Sequence, residues 1–183
     1  MYIIGLNAFH GDSSACLLKD GHLIGAAEEE RFRRIKHWAG FPSEAIKWCL
    51  FEGGINLEDV EHIALNQNAK ANLGRKIMFT FNKCPSLKML IDRFQNKRKR
   101  LDIKDQLLKA FPNSKFNGSI HSVEHHTAHL SSAFHTSHFS DAVVVSIDGF
   151  GDFASSAWGV GQDIRIDLED RVYFPHSLGI FYQ

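Results

Sequence analysis

Asp20-Gly21 stands between two short apolar runs, Ser14-Ala-Cys-Leu-Leu-Lys19 and His22-Leu-Ile-Gly-Ala-Ala27. Asp-Gly between strand-like runs is a strong hairpin signal, because a tight two-residue turn needs positive φ angles. Tyr2-Ile-Ile-Gly-Leu-Asn-Ala8 reads as a strand ahead of this hairpin. Pro42-Ser-Glu-Ala-Ile-Lys-Trp-Cys-Leu-Phe51 then has apolar residues at helical spacing, with Ser43 as the expected N-cap and Gly53-Gly54 as the stop. His62-Ile-Ala-Leu65 returns to a strand, residues 70–111 read as helices broken near Pro85, and Ser119-Ile-His-Ser-Val123 resembles another strand. A hairpin, a helix and a return to the sheet imply a mixed α/β layer rather than a purely parallel one. The glycines agree, since no Gly-x-Gly-x-x-Gly opens a helix after the first strand.

The chain has 183 residues, 44% of them hydrophobic, enough to bury one sizeable core. No apolar stretch approaches the roughly 20 residues that span a bilayer. Met1-Tyr-Ile-Ile-Gly5 lacks the basic start and long apolar core of a signal peptide, so the expected location is cytoplasmic. Cys16, Cys49 and Cys84 are odd in number and widely spaced, which argues for reduced packing residues. Charge is uneven: residues 66–115 carry 13 of the 21 Lys/Arg but 3 of the 21 Asp/Glu. That segment would attract anions although the whole is neutral. Its peak, Asn96-Lys-Arg-Lys-Arg100, reads first as a solvated helix face.

Two loops occupy similar places between strands. Asn7-Ala-Phe-His-Gly-Asp-Ser-Ser14 joins the first two strands, where backbone N–H groups and small side chains can surround an anion. Asp148-Gly-Phe-Gly-Asp152 joins Val143-Val-Val-Ser-Ile147 to Phe153-Ala-Ser-Ser-Ala-Trp-Gly159. The two strand-loop-strand clamps together resemble the nucleotide clamp of the actin, hexokinase and Hsp70 superfamily, with its ribonuclease H-like mixed sheet.

His125 and His129 are four residues apart in a run that reads as helix. That spacing puts them on one face, able to present two imidazoles to one ion, while His126 points elsewhere. Asp148, at a strand end, adds a carboxylate, and two nitrogens with one oxygen suit Fe(II), Mn(II) or Zn(II). The pattern is not a zincin, because His126 stands where His-Glu-x-x-His needs a general-base Glu.

Six runs in order carry a more specific likeness: Gly5-Leu-Asn-Ala-Phe-His-Gly-Asp-Ser-Ser-Ala15, Ala26-Ala-Glu-Glu-Glu-Arg-Phe-Arg-Arg-Ile-Lys-His37, Phe41-Pro42, Glu124-His-His-Thr-Ala-His-Leu-Ser-Ser-Ala-Phe134, Asp148-Gly-Phe-Gly151 and His176-Ser-Leu-Gly179. Together they resemble the O-carbamoyltransferases of nodulation-factor and antibiotic biosynthesis. The resemblance implies an N-terminal metal-binding domain of the actin-like superfamily, akin to the tRNA threonylcarbamoyladenosine metalloprotein, followed by a C-terminal YrdC-like domain. The YrdC-like part makes carbamoyl-adenylate from ATP, with Mg as co-ion, and carbamoyl phosphate. The metal-binding domain passes the carbamoyl group to a hydroxyl of a small-molecule acceptor.

By that resemblance His125, His129 and Asp148 match iron(II)-ligand positions, with a fourth ligand beyond residue 183. His10 matches a histidine implicated in transfer, suited to taking a hydroxyl proton near neutral pH. Asn7, Gly11, Asp12, Ser13, Ser14, Gly149 and Gly151 would surround phosphate, nucleotide or metal-bound water, and Lys36 and His37 would approach the cleft. The chain would be the first part of the domain, with a basic helical insertion at about 66–115, a candidate cap over the acceptor site. Ser177 reads as the N-cap of a helix beginning at Leu178, which implies continuing chain. The alternatives are an actin-like ATPase or kinase without carbamoyl chemistry, and an RNA-binding module. Against the last, the Lys/Arg-dense core has few aromatics for base stacking, Phe94 being nearest.

Overall fold

The computed structural model describes residues 1–83 and 103–182. They fall into two compact units, one comprising Met1–Leu65 with Pro85–His121, the other Asn66–Cys84 with Ser122–Gln183. The basic 66–115 stretch is therefore divided: α3 (Leu73–Lys83) belongs to the second unit and α4 (Ile103–Ala110) to the first. Its most basic run, 96–100, lies outside the described residues.

The first unit is a five-stranded mixed sheet in the order β3-β2-β1-β4-β5. β1 (Tyr2–Asn7), β2 (Ser14–Lys19) and β3 (His22–Glu28) form an antiparallel meander, and β4 (His62–Leu65) runs parallel to β1 on its other side. β5 (Ser119–Ser122) closes the edge beside β4. The hairpin turn has Asp20 at φ 50° and Gly21 at φ 84°, the left-handed pair that such a turn favours. Period two decides the core face. Ile4, Leu6, Ala15, Leu17 and Ile63 are buried and meet Ala45, Ile46, Cys49 and Leu50 from α2 (Ser43–Gly53). Each fully buried Leu or Ile contributes about 1.5–3 kcal/mol of hydrophobic free energy. The α2 stop is as expected, with Gly54 left-handed and its N–H donating to the Leu50 and Phe51 carbonyls.

The start of α2 is a correction. Ser43 lies inside the first turn rather than at the N-cap, and its hydroxyl accepts from Arg33 Nη2 at 2.9 Å. The free N–H groups of Glu44 and Ala45 instead donate to the carboxylate of Glu29, at 3.2 and 2.8 Å. Glu29 is fully buried just before the short helix α1 (Glu30–Arg33) and also accepts from Arg33 Nε at 2.7 Å. Helix starts leave orphan donors, and here a carboxylate distant in sequence satisfies them. Both described cysteines are packed in this unit; burial raises the Cys16 thiol and pushes that of Cys49 up to about 11.

The second unit is an antiparallel sheet in the order β6-β7-β8, from β6 (Asp141–Gly151), β7 (Ala154–Gln162) and β8 (Arg165–Tyr173). α5 (His125–Phe134) packs Leu130 and Phe134 onto Val144 and Ala157. A Cβ on Gly161 would lie 2.6 Å from the Phe134 ring, so the bare strand backbone admits the helix. β8 was not among the expected strands, because charges interrupt Arg165-Ile-Asp-Leu-Glu-Asp-Arg-Val-Tyr173. On an edge strand Arg165, Asp167, Glu169 and Asp170 face water, while Ile166 and Leu168 pack inward and Arg171 reaches Glu124. α6 (Leu178–Tyr182) begins after Ser177, whose hydroxyl accepts from Ile180 N–H at 3.1 Å. No described helix is long and apolar enough to cross a membrane.

Candidate functional site

The second unit brings His125, His129 and Asp148 together. His125 Nε2 lies 2.8 Å from Asp148 Oδ2 and 3.1 Å from His129 Nε2, and His129 Nε2 lies 3.5 Å from Asp148 Oδ2. The two histidines are one turn apart on α5, and Asp148 is on β6 against which α5 packs. His125 is 8% exposed, whereas the side chains of His129 and Asp148 are nearly half-exposed, so the cluster has a buried floor and an open side.

These atoms fit a metal ion. Donors about 2.0–2.2 Å from one ion are separated by roughly 2.8–3.6 Å at octahedral or tetrahedral angles, which brackets all three distances. The electrostatics favour the deprotonated ligands as well. Burial, then the neighbouring His125 imidazole, lowers the pKa of His129 against the opposing pull of Asp148. Burial works against ionisation of Asp148, but the hydrogen bonds from His125 and the Gly149 N–H outweigh it and hold the carboxyl below its ordinary range.

Asp148 and the start of α5 are held by their neighbours. Gly149 N–H donates to Asp148 Oδ1 at 2.6 Å, leaving Oδ2 towards the histidines. The Ser177 hydroxyl meets the carbonyls of Asp148 and Gly149 at 3.1 and 2.9 Å. A Cβ on Gly179 would overlap the Asp148 carbonyl, so the His176-Ser-Leu-Gly179 run braces the Asp148 backbone. Gly151 has a steric role, since a Cβ there would overlap the His125 ring. Glu124 caps α5 by accepting from Thr127 N–H and hydroxyl at 2.8 and 2.9 Å. Burial opposes its ionisation, but the Thr127 and His126 donors and Arg171 keep the carboxyl low.

His126 takes no part in the cluster. It is fully buried, and its Nδ1 lies 2.9 Å from Ser146 Oγ.

Sequence reasoning missed Asp152. Its carboxylate accepts from the backbone N–H of His125 at 3.0 Å and of Asn68 at 2.7 Å, and its carbonyl accepts from Asn72 Nδ2 at 2.9 Å. The signal was a second acidic residue closing Asp148-Gly-Phe-Gly-Asp152, four residues after the ligand position. Phe79 of α3 meets Phe153 and Phe174 at ring separations of 5.8 and 5.0 Å. The expected loop is shorter than the sequence suggested: Asp148–Gly151 continue β6 past a register shift, and only Asp152 and Phe153, both left-handed, turn into β7, a turn that the first part of the basic stretch buttresses.

In the first unit the β1–β2 loop is welded to the segment before α2. Phe9 N–H donates to the Gly40 carbonyl and Ser13 N–H to that of Trp38, at 3.1 and 2.9 Å. The buried Ser13 hydroxyl lies 2.8 Å from the Gly40 carbonyl and 3.0 Å from that of His10, which share its one proton, so it is an internal tie of the loop. Asn7 Nδ2 points back to the Gly11 and Asp12 carbonyls, at 3.4 and 3.1 Å. Asp12 and His37, both left-handed, pair through Oδ1 and Nδ1 at 3.0 Å. Lys36 is exposed and pairs with Glu30 at 3.2 Å. His10 is half-exposed, and Gly11 and Ser14 lie on the same loop and its exit.

The family described as the carbamoyltransferase N-terminus matches residues 2–183. This chain belongs to that family. It is 33% identical to an uncharacterized Synechocystis protein over 99% of its own length and 31% of that protein's. It is likewise 33% identical to nodulation protein NolNO of Sinorhizobium fredii over 96% of its length and 25% of that protein's. The chain thus spans under a third of these relatives. Among solved structures it is similar to YeaZ from Pseudomonas aeruginosa, with a TM-score of 0.50 and 14% identity over 96% of this chain and 69% of YeaZ. That likeness concerns the fold, which is actin-like, and the mixed five-stranded sheet agrees with it.

Proposed function

We propose that this carbamoyltransferase N-terminal chain belongs to an O-carbamoyltransferase passing a carbamoyl group from carbamoyl-adenylate to a hydroxyl of a sugar-like or natural-product acceptor. The convergence of His125, His129 and Asp148 within a chain of this family supports the reading most directly. His125, His129 and Asp148 would hold a divalent ion, with iron(II) the reading from family resemblance and two nitrogens and one oxygen also suiting Mn(II) or Zn(II). A bound ion at such a site supplies positive charge that polarises oxygen ligands and offsets charge on a departing phosphate.

The remaining assignments concern the chain's own groups. His10 takes the proton of the acceptor hydroxyl, because an alcohol is a weak nucleophile until a base relieves it of that proton. Asp12 orients His37 by accepting from Nδ1, leaving Nε2 to face a ligand. Lys36, on a mobile stem at the surface, attracts the phosphate or carbamoyl oxygen by charge. Gly149 orients Asp148 through its N–H. The remainder of the actin-like domain and a YrdC-like domain that forms the adenylate from ATP and carbamoyl phosphate would lie in the part of the relatives this chain does not span.

The test is an anaerobic assay of the complete gene product, loaded with Fe(II), with ATP and carbamoyl phosphate, following AMP and pyrophosphate by chromatography. Carbamoyl phosphate-dependent pyrophosphate is the expected outcome, with AMP following as the carbamoyl-adenylate passes its carbamoyl group to water in the absence of an acceptor. ATP turnover indifferent to carbamoyl phosphate would overturn the reading in favour of an ATPase or kinase. The isolated 183-residue chain is expected to show no transfer.

A further inference from the structure

A second imidazole pair stands in the first unit, on elements unconnected with the cluster described above. His121 Nε2 and His62 Nδ1 are 3.0 Å apart, with ring centroids 5.0 Å apart and planes inclined at 60°. The sheet explains the pairing. On β4, Ile63 is fully buried, so by strand alternation His62 projects from the opposite face. On β5, Ile120 packs against the same core, which turns His121 to that opposite face too. Neighbouring strands bring facing Cβ atoms to about 4.5–5.5 Å, within reach of two rings. The platform is fixed, since His62 is in register with Ile3 of central strand β1, and Ser119 N–H donates to the Glu61 carbonyl at 2.9 Å.

A hydrogen bond between two solvent-facing imidazole rings is a modest gain, because water competes for both atoms. The same geometry suits another ligand better. Two nitrogens about 2.0–2.1 Å from one ion are separated by roughly 2.9 Å at a right angle and 3.4 Å at the tetrahedral angle, a range that includes the observed 3.0 Å. Imidazole pairs select borderline transition ions over magnesium or calcium, which take oxygen donors.

We propose that His62 and His121 form a two-imidazole site for a borderline divalent transition ion such as Zn(II), which clamps the edge strand β5 to β4. Water completes the coordination. Binding has a definite proton consequence. In the hydrogen-bonded pair one of the two facing nitrogens carries a proton and the other a lone pair. In the metal-bound pair neither can carry one, so one ring shifts its proton to the far nitrogen and changes tautomer. Binding to the folded state alone also raises the unfolding midpoint by mass action.

The experiment uses the chain labelled with ¹⁵N, stripped with chelator and titrated with zinc alone in a non-coordinating buffer. Ring ¹⁵N resonances of His62 and His121 are expected to move together, with one ring showing the tautomer change, and His121→Gln is expected to lower the zinc bound at saturation by about one equivalent. The His125 and His129 resonances serve as an internal reference for the other cluster. Unmoved His62 and His121 rings while those of His125 and His129 respond would overturn the proposal. So would an unchanged zinc stoichiometry in His121→Gln, whose substitution sits on an exposed edge-strand position and leaves the core intact. Neither result depends on carbamoyl transfer.

Discussion

The backbone of Gly151 and the imidazole of His125 share a boundary with no space for a methyl group. The ring occupies the volume a Cβ would need, so the glycine in Asp148-Gly-Phe-Gly151 admits a candidate ligand. Gly151→Ala should push the ring away from Asp148 or shift β6. Overpacking of this kind costs about 1–3 kcal/mol, and loss of ligand orientation weakens metal binding about 10–100-fold. Thermal unfolding with zinc or iron(II) titration measures both. Gly149→Ala is the control, since a Cβ there meets only Ile180 Cδ1 at 3.7 Å. Equal metal loss in the two variants would contradict the steric account.

Adjacent histidines on α5 should respond differently. His125→Ala removes one of three converging donors and is expected to cost metal affinity by more than about tenfold. His126→Ala leaves the cluster intact but opens a buried space beside Ser146, whose hydroxyl then loses its partner. A penalty of about 1–3 kcal/mol in stability follows from that unsatisfied group, with metal binding retained. Isothermal titration and denaturant unfolding of both variants separate the effects. Parallel metal loss would sink the assignment of His126 to packing.

Local chemistry written in consecutive residues was the legible part. The Asp20-Gly21 hairpin, the four-residue spacing of His125 and His129, and the Ser177 cap all depend on neighbours within one turn or one strand pair. What escaped depended on distant partners. Glu29 satisfies donors at the start of α2, and no local pattern announces a cap 16 residues away. Asp152 anchors α5 through its first N–H, a relationship created when helix and strand pack. The interior role of Ser13 was hidden for a related reason. A small polar residue in a loop reads the same whether it faces an anion or donates to a carbonyl 27 residues further on. β8 was masked because an edge strand carries charge on its wet face.

Acid should loosen the cluster in two stages. His129 has a folded pKa below its ordinary value, so the unfolded chain takes up its proton first. Its stabilising contribution is complete above about pH 6.5 and declines as pH falls through that value towards the lower folded one. Asp148, also depressed, keeps its contribution above about pH 3.9 and loses it as pH falls further. Both contributions are tempered by solvent, since each side chain is nearly half-exposed. Metal-free denaturant midpoints should therefore fall from pH 7 to pH 5 more in the parent chain than in His129→Gln. Identical pH slopes would show that His129 is not perturbed in the folded state.

Glu29 offers the sharpest test of what holds the first unit together. Its carboxylate, fully buried, receives three donors: the N–H groups of Glu44 and Ala45 and Nε of Arg33. Removing the acceptor strands two helix-start donors and a guanidinium that is one-third exposed. Breaking a buried charged pair from one side costs about 3–5 kcal/mol, and the partial exposure of Arg33 places Glu29→Ala towards the lower end. Glu29→Gln keeps the shape and one acceptor oxygen but presents an NH₂ group towards other donors, so it should also destabilise, by less. Urea unfolding of the three proteins should rank parent, Gln variant, Ala variant. A Gln variant as stable as the parent would mean that the charge contributes nothing and the cap is held by geometry alone.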